Sequence, residues 1–229
     1  MKVSIIGAGN VGSILGGALL RRSGDVQVKY GVKTPSSDKY HKLLKQQPKA
    51  SVESVDQAAA WADVIILAIP APIPDASLRE LAGALGDGAS GKVVIDVTNP
   101  VSQYPHLEIE WGREASMGER IAASLPLSHV FKAFNTIGAE YMAAADGRSM
   151  PGFTGQRLTM LIAGPKDKRQ VAERIVELVG FEPCYVGPIR YARNLEAIAE
   201  LWIHLGTEGV GSAITWGRNF HFQVVGRHS

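Results

Sequence analysis

The fold is decided by the N-terminal stretch Lys2-Val-Ser-Ile-Ile-Gly-Ala-Gly-Asn-Val-Gly-Ser13. β-Branched and apolar residues run together from Lys2 to Ile6 and stop at a glycine, which predicts a short buried strand. A G-x-G-x-x-G follows at Gly7–Gly12, and apolar residues at helical spacing continue from Ser13 to Arg22. Strand, glycine turn and helix therefore stand in the order that a dinucleotide-binding site requires.

Each glycine of this turn has its own expected role. Gly7 allows the tight turn, Gly9 lets the backbone approach a pyrophosphate, and Gly12 lets the helix pack closely against the strand. The phosphates would then lie at the N-terminus of the helix. The alternative is a glycine-rich turn that binds nothing.

Composition and charge exclude several other classes of protein. The chain has 229 residues, of which 45% are apolar and 20% charged, as in ordinary globular proteins. A net charge of +2 without a block of like charges argues against a nucleic-acid partner. No apolar run is long enough for a membrane helix, and Met1 leads directly into the first strand, so we expect a cytoplasmic protein. With a single cysteine, Cys184, and dispersed histidines, we expect no disulfide and no metal site.

Apolar runs alternate with helical patterns through most of the chain. Three of the runs, Asp63–Ile69, Lys92–Val97 and His129–Phe134, have the continuous apolar character of buried parallel strands. The alternation predicts an α/β fold with a Rossmann-type, doubly wound, mostly parallel sheet and a small helical C-terminal portion. We expect residues 1–186 to form the nucleotide-binding domain and residues 187–229 to form the C-terminal portion.

The end of the second predicted strand, Asp25–Tyr30, indicates which dinucleotide is bound. An NAD-preferring fold places an acidic residue there to accept hydrogen bonds from the ribose hydroxyls. Here Val32, Lys33 and Thr34 follow instead, and no carboxylate appears before Asp38. A cation beside hydroxyl groups suits a 2′-phosphate, which favours NADP. The alternative is an exposed polar loop without a ligand.

The carboxyl ends of the other strands are the remaining candidates for cofactor contacts, because ligands of such sheets bind at that edge. The residues at these ends are Ile69, Pro70, Asn99, Pro100, Asn135, Ile137 and Gly138. A purely structural role of the prolines is equally compatible with the sequence.

The sequence lacks the catalytic motifs of several competing enzymes. There is no Tyr-x-x-x-Lys, no phosphate loop of the G-x-x-x-x-G-K-[ST] type and no G-x-S-x-G nucleophile elbow. Hydride transfer between two redox cofactors needs none of these, since it requires two planar rings held face to face without water. The catalytic residues themselves are not identified by any motif.

Several stretches resemble the deazaflavin:NADP oxidoreductases, which are NADPH-dependent reductases of coenzyme F-420. In chain order they are Gly7–Gly12, Tyr30–Lys33, Val64–Pro70, Asp96–Pro100, Val130–Thr136, and Gly187–Pro188 with Arg193 and Glu196. The chain is also similar to the cytosolic nucleotide domain of the six-transmembrane metalloreductases.

The resemblance implies a homodimer with NADP on the Rossmann fold and a deazaflavin, FMN or FAD as co-substrate under the C-terminal portion. It implies pyrophosphate contacts by Ala8, Gly9, Asn10 and Val11, and 2′-phosphate contacts by Val32 and Lys33. It also implies that Ile69, Pro70 and a residue near Ile137 or Gly138 flank the nicotinamide. The chain departs from the family's Gly-Ser-Arg motif: its serine is replaced by Val32 and its arginine by Lys33, a point charge without a bidentate fork.

Two other functions remain open. The first is an NADP-dependent dehydrogenase or imine reductase of a small metabolite, with His204, Tyr191 or Glu196 as its acid. The second is a non-catalytic NADP-binding sensor. The aromatic tail around Trp216 and Phe220 is expected either to line a ring-binding cleft or to form core and dimer contacts.

Overall fold

The computed structural model of the chain describes residues 1–109, 115–143, 157–208, 210 and 216–226. Within these residues the strands are β1 (Lys2–Ile6), β2 (Gln27–Val32), β3 (Ala50–Ser54), β4 (Val64–Leu67), β5 (Val93–Asp96), β6 (His129–Lys132), β7 (Thr159–Ala163) and β8 (Glu182–Gly187). The α-helices are α1 (Asn10–Arg22), α2 (His41–Gln46), α3 (Val55–Trp61), α4 (Asp75–Leu85), α5 (Met117–Ser124), α6 (Ala139–Ala143), α7 (Arg169–Val179) and α8 (Ala192–Gly206).

The eight strands form one sheet in the order β3-β2-β1-β4-β5-β6-β7-β8. All neighbours are parallel except β6 and β7, which pair antiparallel with Lys132 opposite Ala163. The chain runs outward from β1 to β3, then returns to place β4 on the other side of β1. The prediction of a Rossmann-type, mostly parallel sheet is thus confirmed, and its topological switch point lies between β1 and β4.

Two hydrophobic cores cover the two faces of this sheet. One includes Leu15 and Leu19 of α1 and Ile175 of α7, packed against β1, β2 and β7. The other includes Leu81 of α4 and Ile121 of α5, packed against β4 and β5. Central strands are apolar on both faces because each face is covered by helices, which explains the continuous apolar runs in the sequence.

β2 extends two residues beyond its predicted end. Val32 pairs with Ser54 of β3 and is 5% exposed, because its side chain belongs to the core beside α1. The loop that would face a ribose therefore begins at Lys33.

The C-terminal portion contributes α8, which packs against α5. α5 begins with a capping box in which Ser116 accepts a hydrogen bond from the Glu119 amide and the Glu119 side chain accepts one from the Ser116 amide. The division of the chain at residue 187 stays a prediction, and residues 209, 211–215 and 227–229 lie outside the described residues. No helix in the described ranges is long and apolar enough to cross a membrane.

Candidate dinucleotide-binding site

The glycine turn between β1 and α1 has the close contacts that this motif is expected to make. Gly7 has a φ of 102°, and a Cβ atom there would collide with the carbonyl oxygen of Ala68. A Cβ atom on Gly12 would collide with the carbonyl oxygen of Gly7, so α1 lies directly on the turn. At Gly9 a Cβ atom would have no neighbour within 4 Å. Two glycines are thus required by packing, whereas Gly9 leaves space open at the turn.

The N-terminus of α1 is suited to bind a pyrophosphate. Gly9 is the N-cap residue and has no side chain to cap the helix, and the 13-residue helix follows from Asn10. Asn10 is exposed, while Ala8 and Val11 are partly buried. Free amide groups and the positive end of the helix dipole favour an anion at this position. The open space at Gly9 is therefore the position at which a dinucleotide phosphate is expected.

Tyr30 fixes the packing of α1 on β2. Its hydroxyl group donates a hydrogen bond of 2.6 Å to Gln47, whose amide nitrogen donates one of 2.8 Å to the carbonyl oxygen of Ser13. Gly16 leaves room for that hydroxyl, since a Cβ atom there would collide with it. Burial raises the pKa of Tyr30 above its ordinary value, so the phenol stays protonated.

The loop after β2 presents Lys33 and Thr34 to solvent, as expected for a 2′-phosphate site. Val32 is buried, so its side chain is turned away from such a ligand. Lys33 forms an ion pair of 2.6 Å with Glu80 of α4.

On the other side of β1, Ile69 lies close to the glycine turn. Its Cγ2 atom would be 3.1 Å from a Cβ atom on Gly7. Pro70 is exposed. Both residues follow β4, whose last strand residue is Leu67, and they border the switch point at which the nicotinamide half of a dinucleotide is expected.

The ends of β5 and β6 are joined by a pair of asparagines. Asn99 donates a hydrogen bond to the carbonyl oxygen of Asn135, and Asn135 donates to Asn99 Oδ1 and to the carbonyl oxygen of Leu195 in α8. Asn135 Oδ1 and Thr98 Oγ1 are buried without a hydrogen-bond partner. Phe134, next to Asn135, has a φ of 63°, which is rare for an aromatic residue and concentrates at functional sites.

Three further candidates at these ends are buried. Pro100, Ile137 and Gly138 are covered, and Ile137 belongs to the core that contains α1. A Cβ atom on Gly138 would lie 2.7 Å from the Glu140 carboxylate. The contacts expected of these three residues with a cofactor therefore stay predictions.

Sequence reasoning missed a buried charge cluster beside this edge. Lys132 Nζ lies 2.8 Å from Asp96 Oδ2 and 3.0 Å from Glu196 Oε1, and all three side chains are inaccessible to solvent. The ammonium group also donates to the carbonyl oxygen of Thr98. Burial alone would lower the pKa of Lys132, but the two carboxylates raise it above its ordinary value, so the lysine stays charged.

Each carboxylate of the cluster has further donors. Asp96 Oδ1 accepts a hydrogen bond from the Thr98 amide, and Glu196 accepts bonds of 3.1 Å from the amides of Met117 and Gly118 at the start of α5. The cluster thereby ties α8 to the ends of β5 and β6. The sequence showed only that a charged residue lies near the end of each of two apolar runs, Asp96 in Lys92–Val97 and Lys132 in His129–Phe134.

The three acids considered for an alternative enzyme do not lie together. Glu196 belongs to the buried cluster, whereas His204 Nε2 contacts the carbonyl oxygens of His106 and Leu107. The Tyr191 hydroxyl accepts a hydrogen bond from Arg190. The described residues contain no group of three or more His, Cys, Asp or Glu that could hold a metal ion.

The aromatic tail packs mainly on itself. Trp202 of α8 stacks on Phe220 at 5.4 Å between ring centroids, and Phe220 also contacts Trp216 and Phe222 edge-on. Trp202 Nε1 donates to the carbonyl oxygen of Phe220. These contacts favour packing within the protein over a ring-binding cleft as the role of the tail. Trp216 is nevertheless 56% exposed.

The fold and the glycine turn define a Rossmann-type dinucleotide-binding protein. Residues 2–100 match the family model described as NADP oxidoreductase, coenzyme F420-dependent. The match confirms the resemblance, predicted from the sequence, to a family of NADP oxidoreductases.

Three individual proteins are similar to the chain in sequence or in fold. The chain is 28% identical over 115 residues to the metalloreductase STEAP3 of Rattus norvegicus, a match that covers 50% of this chain and 21% of the relative. It therefore spans about a fifth of that protein. The crystal structure of a candidate F420-dependent NADP reductase from Arthrobacter sp. FB24 superimposes with a TM-score of 0.80 and 26% identity, covering 98% of this chain and 99% of that one. The imine reductase of Aspergillus terreus shares the fold, with a TM-score of 0.61, 17% identity, and coverage of 87% and 60%.

Proposed function

We propose that the protein is an NADPH-dependent oxidoreductase that transfers hydride between NADP(H) and a deazaflavin or flavin-like acceptor. The observation that carries the proposal is the glycine turn at the end of β1, with open space at Gly9, together with Lys33 in place of an acidic residue at the end of the neighbouring strand β2. The family match over residues 2–100 supports the same cofactor.

The nicotinamide would supply the hydride, and the protein would bind and orient the two ring systems. The start of α1 would hold the pyrophosphate, and Lys33 would face the 2′-phosphate. Ile69 would pack beside the nicotinamide and help to exclude water. The buried cluster around Lys132 holds the ends of β5 and β6 against α8, which keeps that wall of the cleft in place.

The acceptor is proposed to be a deazaflavin such as coenzyme F-420, with FMN or FAD as the other flavin-like candidates. The resemblance to the F-420 family supports this choice. In the proposed reaction, NADPH would give a hydride to the oxidised acceptor. The acceptor would also take up one proton from solution, and NADP⁺ would be released.

The test is to mix the purified protein with NADPH and a panel of acceptors: the deazaflavin, FMN, FAD, ferric chelates, and a set of imines and ketones. Fast NADPH oxidation with the deazaflavin or a flavin is the expected result. Gly9→Ala serves as a control with impaired cofactor binding, to separate enzymatic oxidation from spontaneous reaction. Oxidation only with an imine or carbonyl compound would replace this proposal by the metabolite reductase.

One observation keeps the metabolite reductase among the alternatives that the panel tests. Glu196, one of the three acids considered for that enzyme, is buried with its carboxylate 3.0 Å from the Lys132 ammonium group. Tight NADPH binding without turnover of any acceptor would indicate the non-catalytic sensor.

We further propose a cytoplasmic homodimer. The family resemblance supports the dimer, and exposed apolar side chains at Leu201, Trp216 and Val225 supply apolar surface on the C-terminal portion. Light scattering coupled to size-exclusion chromatography would test it, and a monomer at micromolar concentration would contradict it.

A further inference from the structure

An exposed ion pair crosses the edge of the sheet at which the dinucleotide would bind. Lys33 directly follows β2, and Glu80 lies on α4, which follows β4. β2 and β4 are the two neighbours of β1 in the sheet. The Nζ and Oε1 atoms are 2.6 Å apart, so the pair links the elements on both sides of the switch point.

The pair neutralises the cation that the cofactor would use. Lys33 is the only lysine or arginine between Gly31 and Ser37. The hydrogen bond and the positive charge of Lys33 lower the pKa of the Glu80 carboxyl, so the partner is a carboxylate at neutral pH. A phosphate that approaches Lys33 therefore competes with a negative charge already in contact.

Competition is possible because the ion pair is weak. The two side chains are 83% and 64% exposed, and exposed pairs contribute little free energy because water and salt screen them. A lysine is a flexible point charge that can turn from one oxygen ligand to another. A phosphate with nearly two negative charges is a stronger partner than one carboxylate.

We propose that Glu80 is a specificity-determining residue that competes with the 2′-phosphate of NADPH for Lys33 and thereby limits the preference for NADPH over NADH. NADH carries a hydroxyl group at that position, so the ion pair persists when it binds. The inference rests on the proposed use of NADP and adds a residue from α4 to the determinants of cofactor choice.

The test compares the dissociation constants of NADPH and NADH, measured by fluorescence titration, in five proteins. These are the unmutated protein, Glu80→Gln, Lys33→Met, the double variant, and Glu177→Gln. Glu177 is a matched control because its carboxylate is also exposed and paired, with Arg174 of α7 at 3.2 Å. Melting temperatures of all five proteins check that they are folded.

The expected result is a decrease of roughly threefold or more in the NADPH dissociation constant of Glu80→Gln, with the NADH value changed by less than about twofold. The gain should disappear when Lys33→Met is also present, and Glu177→Gln should bind both cofactors like the unmutated protein.

Three results would overturn the inference. They are an unchanged NADPH constant in Glu80→Gln, an equal gain in the Lys33→Met background, and an equal gain in Glu177→Gln. An equal gain in the Lys33→Met background would indicate that Glu80 repels the phosphate directly. An equal gain in Glu177→Gln would indicate an effect of the protein's net charge. Failure of the unmutated protein to bind NADPH would be a different outcome, since it overturns the proposed cofactor itself and the inference with it.

Discussion

Asp96 and Lys132 face each other as register partners on β5 and β6, and their side chains form an ion pair of 2.8 Å that is fully buried. Glu196 of α8 completes the cluster at 3.0 Å from the same ammonium group. A charge in a dry interior is tolerated only with partners, so the three residues depend on one another. The cluster lies directly beside Thr98 and Asn99, and its integrity is therefore relevant to both stability and cofactor binding.

Removal of the cation should be strongly destabilising. Lys132→Met leaves two buried carboxylates without their counter-ion, and we expect a loss of about 3–5 kcal/mol in the free energy of unfolding. Urea denaturation measures this loss. The matched control is Lys29→Met, which breaks a partly exposed ion pair with Glu53 and should cost about 1 kcal/mol or less. Equal losses in the two variants would contradict the importance of the buried cluster.

Gly9→Ala should separate cofactor binding from folding. The backbone at Gly9 has a φ of −78°, which alanine adopts readily, and the added methyl group meets no protein atom within 4 Å. The methyl group would instead occupy the space where a pyrophosphate approaches the helix. We expect an unchanged melting temperature and an increase of roughly tenfold or more in the NADPH dissociation constant. Gly24→Ala, at another open glycine, is the control that should change neither quantity.

The charge at position 33 should determine the response to the 2′-phosphate. In Lys33→Glu a carboxylate replaces the ammonium group beside Glu80, so we expect the Michaelis constant for NADPH to rise roughly tenfold or more, with little change for NADH. Lys45→Glu, an exposed change of the same charge on α2, controls for net charge. Equal affinity of the unmutated protein for the two cofactors would contradict the NADP assignment.

The fold was predictable because its signals are local. The strand, turn and helix at Lys2–Arg22 lie next to one another in the sequence, and the buried strands β4 and β5 are continuous apolar runs. The three glycines of the turn could be assigned from their spacing alone. The antiparallel direction of β7 could not be predicted, because an apolar run carries no information on its direction in the sheet.

The parts of the site that depend on distant residues were not predictable. Asp96, Lys132 and Glu196 are spread over 100 residues of sequence, and Lys33 and Glu80 are 47 residues apart. Such pairs are brought together by tertiary packing, and one sequence does not show which charged residues will pair. The same reason explains why the burial of the Val32 side chain in the core was not predicted, while its contact with a 2′-phosphate stays a prediction.

The capping box of α5 should make stability depend on pH. Burial raises the pKa of Glu119, but hydrogen bonds from Arg193 and Ser116 outweigh this effect and lower the pKa below its ordinary value of 4.5. The Arg193 Nε atom lies 2.7 Å from Glu119, and the Ser116 amide lies 2.8 Å from it. A carboxyl group with a lower pKa in the folded state binds fewer protons there than in the unfolded state. Its stabilisation is therefore fully present above the unfolded pKa and is lost as the pH falls through the folded pKa.

Glu119→Gln tests this linkage. We expect the variant to be less stable by about 1–3 kcal/mol at pH 7, because it loses charge-assisted hydrogen bonds, and the difference from the unmutated protein to shrink below pH 4. Urea denaturation at pH 7, 5 and 3 gives the difference in the free energy of unfolding between the two proteins at each pH. These differences isolate Glu119, because the other carboxyl groups titrate equally in both proteins. Glu177→Gln should differ from the unmutated protein by less than about 0.5 kcal/mol at every pH. A constant deficit of Glu119→Gln from pH 7 to pH 3 would mean that the side chain acts by packing and not by its charge.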